Sequence, residues 1–106
     1  VSEIFQINDL LKKTGEERRY HEFLRVQALS AGVYLLRAGA TDTQEPHRED
    51  EIYYVLRGRA QMRLGTEERS VRAGDVIFVE RGLEHQFFEI AEELALLVIF
   101  APAESQ

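Results

Sequence analysis

An antiparallel β-sandwich or barrel is the fold class this sequence predicts, on three observations. Gly32, Gly39, Gly58, Gly65, Gly74 and Gly82 recur at short intervals. They separate runs of about five to eight residues, the usual strand length. Within the runs, apolar and polar residues alternate, as in Ala60, Met62 and Leu64 against Gln61 and Arg63. Only one stretch reads as helix, so the layers must be built from sheet.

The helical stretch comes first. In "INDLLKKTGEERRY", Asn8 can cap a helix over about residues 8–14, Lys12 and Lys13 sit near its end, and Gly15 stops it. Strands follow over about residues 20–101. Eight runs are expected: "EFLRVQAL", "GVYLLRAG", "DEIYYVLRG", "RAQMRLG", "ERSVRAG", "DVIFVERG", "HQFFEI" and "ELALLVIFA". The third to fifth form a meander with Gly65 in a turn, and Gly74-Asp75 opens the next strand. The last run is apolar on both faces and is expected to be buried on both sides.

Composition narrows the function. The chain has 106 residues, which suits a single domain over residues 1–106. Its net charge is −6 and its arginines are interspersed with glutamates, which argues against nucleic acid as a partner. There is no cysteine, so disulfides, thiolate ligands and cysteine nucleophiles are excluded. No signal peptide is apparent at Val1, and the longest apolar run, "LALLVIFA", is too short to span a membrane. A cytoplasmic protein with no membrane partner is the expectation.

The chemistry concentrates in "QEPHREDEIYYVLRG", residues 44–58. On an extended chain, residues two apart point the same way, so Glu45, His47 and Glu51 are expected on one face. His85, just after a glycine turn and before an aromatic strand, can complete the cluster. His47, Glu51 and His85 would supply two imidazoles and a carboxylate, a facial set that suits a divalent first-row metal. Glu45 would be a fourth ligand or an acid beside the site. Continued alternation turns Tyr53 and Val55 inward and Ile52, Tyr54 and Leu56 outward. Glu45 and Tyr53 are the candidates for acid–base catalysis. His21 reads as structural or exposed, and Arg48, Glu49 and Asp50 as a solvated rim.

These residues resemble the two motifs of the cupins. Gly39, Glu45, His47, Glu51 and Gly58 fall on the spacing of the first, with Glu45 where the family carries a histidine. Gly74, Gly82 and His85 fall on the second, with Glu80 in place of a proline and Glu89 in place of an asparagine. The resemblance covers residues 37–100. It implies a cupin-type barrel, or jelly roll, that holds one divalent metal ion: Fe, Mn or Zn, with Ni also compatible. It also implies a small oxygen-bearing ligand and either dioxygenase, isomerase or hydrolase chemistry. A ligand-binding sensor and a metal-free structural relative are the alternatives. The outward apolar row, together with the habit of small cupins, implies a homodimer.

Overall fold

The computed structural model describes residues 2–15 and 19–105. Residues 16–18 of the helical stretch lie outside them. The elements run α1 (Ile7–Lys12), β1 (Tyr20–Val26), β2 (Leu29–Leu36), β3 (Asp50–Leu64), β4 (Glu67–Arg72), β5 (Val76–Val79) and β6 (His85–Ala101). All strand pairings are antiparallel. The sheet order is β1-β2-β6-β3-β4, with β5 added to the start of β3.

Eight expected runs have become six strands among the described residues. Gly58 and the stretch around Glu92 are bends within strands, not turns between them. β3 is therefore 15 residues long and β6 is 17. Their ladder slips register between Val55 and Gln61. Gly58 sits there at φ 92°, and a Cβ on it would come within 2.1 Å of the Glu93 carbonyl oxygen. Only glycine combines that backbone with that approach.

The bends let both long strands cross from one wall of the molecule to the other. The first half of β3 pairs with β5 and with the second half of β6, which also pairs with β2. The second half of β3 pairs with β4 and with the first half of β6. Inward side chains of the two walls meet in one core that includes Leu36, Val55, Met62, Phe87, Leu94 and Leu96, all fully buried. The final apolar run lies between β2 and β3 and is buried on its inner face, at Leu94, Leu96, Val98 and Phe100; on its outer face, expected to be buried as well, Leu97 and Ile99 are only half-buried.

One local expectation is corrected and another holds. The helix starts one residue earlier, with Gln6 at its N-cap and no side-chain cap, so Asn8 lies inside it. At its far end the Thr14 hydroxyl donates to the Leu11 carbonyl. The hairpin between β3 and β4 does turn at Gly65, whose φ is 61°.

Candidate metal centre

Glu51 is the second residue of β3 and faces inward at 1% exposure. His85 opens β6 and reaches the same point from the opposite wall. His47 comes from the irregular lead-in to β3 and lies against the Phe100 ring, with centroids 4.8 Å apart. Glu51 Oε1 is 3.2 Å from His85 Nε2 and 4.0 Å from His47 Nε2. One donor atom from each of the three residues lies within 4.8 Å of the others. Donors around a first-row ion sit about 2.0–2.2 Å from it, so neighbouring donors lie roughly 3–4 Å apart. Both separations from Glu51 fall in that range.

Among the described residues neither carboxylate oxygen of Glu51 has a partner with hydrogen-bond geometry, and both are buried. An unpaired buried carboxylate costs several kcal/mol, on the order of the penalty for any buried unpaired ion. The donor set and this deficit together fit a divalent cation.

The hydrogen bonds around His85 define which nitrogen is available. Its Nδ1 lies 3.0 Å from the Leu83 carbonyl, which can only accept, so Nδ1 carries a proton and Nε2, facing Glu51, is the nitrogen open to a second proton or to a cation. Burial works to lower the pKa of His85, but Glu51 and the Leu83 carbonyl outweigh it and the net shift is upward. A cation that takes Nε2 therefore displaces a proton more readily bound than usual.

Tyr53, two residues beyond Glu51, is fully buried. Its hydroxyl donates to Gln44 Oε1 at 3.0 Å and lies 3.2 Å from His85 Nε2. Burial, and then the Glu51 carboxylate, hold its pKa well above the usual value, so at neutral pH it is a phenol and not a phenolate.

Glu45 is exposed and stands outside the cluster. Alternation does not extend to it, because the chain is not a strand until Asp50. Gln44 points inward instead. Its Oε1 is 3.3 Å from His47 Nε2, and its Nε2 donates to Asp42 at 3.1 Å. Asp42, 1% exposed, also accepts from the Tyr34 hydroxyl and the Phe87 amide, which ties this loop to both walls. His21 is half-buried on β1 and takes no part.

Glu49, expected on the rim, is buried at 4% exposure. It accepts from the amide and hydroxyl of Ser105, in the segment that follows β6. That segment brings Glu104 to the mouth, where its carboxyl lies 3.5 Å from His47 Nδ1. The two residues share a cavity of ≈ 220 Å³ with Tyr20, Tyr34, Val98 and Phe100. The buried Tyr20 hydroxyl has no hydrogen-bond partner among the described residues. No motif spacing pointed to Gln44, Asp42 or Glu104, which carry ordinary loop and tail residue types.

Residues 32–100 match the family model described as the cupin domain. The chain is a cupin. It is 41% identical over 102 residues to an uncharacterized protein of Streptomyces coelicolor, covering 95% of this chain and 97% of that one. Among solved structures it is similar to BH2720 of Bacillus halodurans, with TM-score 0.82 and 19% identity over 97% of this chain and 83% of that one. It is also similar to TT1209 of Thermus thermophilus, with TM-score 0.71 and 26% identity over 88% and 94%. These likenesses agree with the antiparallel, jelly-roll character of the strands.

Proposed function

We propose that this cupin binds one divalent cation, Fe, Mn or Zn with Ni also compatible, through His47, Glu51 and His85, and acts on a small oxygen-bearing metabolite. The observation that carries the reading is the buried Glu51 carboxylate, unpartnered on both oxygens and facing two imidazoles. The bound cation would supply Lewis acidity and lower the pKa of coordinated water. Three protein ligands leave positions for a substrate hydroxyl, carbonyl or carboxylate.

The surrounding residues have definable tasks. Tyr53, held as a neutral phenol, orients Gln44 and can donate to a substrate oxygen. His47 and Phe100 form one wall of the adjoining cavity, which at ≈ 220 Å³ accepts only a small molecule. Glu45 lines a neighbouring cleft that also includes His85, where it would meet ligand at the entrance.

The test pairs metal uptake with turnover. His85→Ala should abolish uptake of Zn or Mn, and an unchanged metal content removes His85 from the site. Dioxygen consumption and product formation against a panel of chelating acids and diols then separate an enzyme from a ligand-binding sensor. Ligand binding without turnover across the panel favours the sensor.

The outer face supports a second copy as partner. Ile52 pairs with Phe78 and Tyr54 with Val76 across β3 and β5, and all four are exposed. A contiguous apolar patch of this kind is a usual mark of association. Leu56 is half-buried and contributes less. A two-fold dimer at micromolar concentration in light scattering is the expected result, and a monomer there removes it. No helix among the described residues is long and apolar enough to cross a membrane. A cytoplasmic location remains part of the proposal.

A further inference from the structure

The segment after β6 is built into the site. The Glu104 amide donates to the hydroxyl of Ser30, a fully buried serine on β2, at 2.9 Å. The Glu104 carbonyl accepts from Arg25 Nη2 at 2.7 Å. The next residue, Ser105, uses both its amide and its hydroxyl on buried Glu49. Two buried polar side chains, on β2 and on the lead-in to β3, are thus given over to holding two consecutive residues. That is more anchoring than a loose tail needs. The side chain held between these anchors is Glu104, with Oε2 3.5 Å from His47 Nδ1.

We propose that Glu104 is a positioning residue for His47: the strap of residues 102–105 holds its carboxylate against Nδ1, so that Nδ1 carries the proton and Nε2 faces Glu51 and His85. This rests on the metal-site reading above, and it deepens that site by one residue. The two histidines are then handled alike. At His85 the Nδ1 proton is fixed by the Leu83 carbonyl. At His47 the backbone offers nothing equivalent, and the strap supplies a carboxylate.

A competing arrangement gives the inference its test. His47 Nε2 also lies 3.3 Å from Gln44 Oε1, an acceptor. Without Glu104, the ring gains most by protonating Nε2 and donating to Gln44, which closes the lone pair that a metal would need. Glu104 tips the ring the other way. Outer carboxylates of this kind orient ligating imidazoles and raise their basicity.

The experiment reads the His47 tautomer by ¹⁵N NMR in the metal-free chain, in a pH series carried up until the ¹⁵N shifts no longer change, and then Zn²⁺ affinity by competition with a chromophoric chelator. In the wild type, Nδ1–H should dominate. In Glu104→Ala the proton should move to Nε2, while the His85 tautomer stays as it was. Zn²⁺ affinity should fall about 10- to 100-fold. The isosteric Glu104→Gln, which keeps the strap's shape, should give an intermediate tautomer ratio and affinity, so that a folding defect in the alanine variant cannot imitate the result. Nδ1–H dominance in both the wild type and Glu104→Ala, or equal Zn²⁺ affinity in the two, overturns the proposal. If the tautomer moves as expected but no chain takes up metal, the positioning by Glu104 is supported and the metal reading falls.

Discussion

In the first half of β3 the inward positions are Glu51, Tyr53 and Val55; in the second half, beyond Gly58, they are Ala60 and Met62. The alternation is the same and both sets are buried. Their chemistry is opposite. Met62 is fully buried in the hydrophobic core, where an apolar side chain gains by leaving water. Around Glu51 a carboxylate is held dry with no hydrogen-bond partner among the described residues, against its own solvation. The contrast shows one strand doing two jobs: its far half stabilises the fold, and its near half is held in an unfavourable state by that stability.

The largest expected effect lies in the far half. Met62→Ala should cost about 2–5 kcal/mol of unfolding free energy, by removing packing that cannot collapse. Metal affinity, measured under native conditions, should stay unchanged. A loss of affinity equal to that of a ligand mutant would mean that the halves are not separable in this way.

The junction comes next. Gly58→Ala should destabilise the chain by at least about 2 kcal/mol, since alanine must adopt a left-handed backbone and its Cβ would strike the Glu93 carbonyl. Because this bend carries β3 from one wall to the other, metal affinity should drop as well. Chemical denaturation and metal titration of the same preparation read both effects.

At the near half the sign should reverse. Glu51→Met replaces a buried, unpaired carboxylate with an apolar side chain of similar length. In metal-free protein this should raise stability by about 1–3 kcal/mol and remove metal uptake. A destabilised Glu51→Met chain would show that Glu51 is satisfied in the apo protein after all.

Much of this contrast was legible from residue spacing. His47, Glu51 and His85 were readable because two motifs fix their distances from glycines that set the strand ends. Inward Tyr53 and Val55 followed from period-two alternation, which holds wherever the chain is a strand. The inward place of Gln44, and the exposure of Glu45, were not readable, because the lead-in to β3 has no period. Gly58 reads in sequence like the turn glycine Gly65, and only the register slip reveals a bend. Glu49 looked like a rim residue because its partner, Ser105, lies 56 residues away. Glu104 reaches His47 by the same route, a long-range closure that no local pattern announces.

The smallest expected effect sits on β6. Glu89, which replaces the motif asparagine, has a φ of 45° in the left-handed region. Glycine or asparagine adopts that backbone at less cost. Glu89→Gly should therefore stabilise by up to about 1 kcal/mol, seen as a later denaturant midpoint with an unchanged slope. Since Glu89 is exposed and distant from the cluster, metal affinity should not move.

On the proposed reading, a cation completes the dry end of this barrel. The most direct measurement is elemental analysis of the chain purified without chelator, followed by titration of the stripped protein with Fe, Mn, Zn and Ni. The account predicts about one divalent ion per chain, lost in Glu51→Met and in His85→Ala. A wild-type chain that carries no stoichiometric metal and takes up none of the four would contradict it.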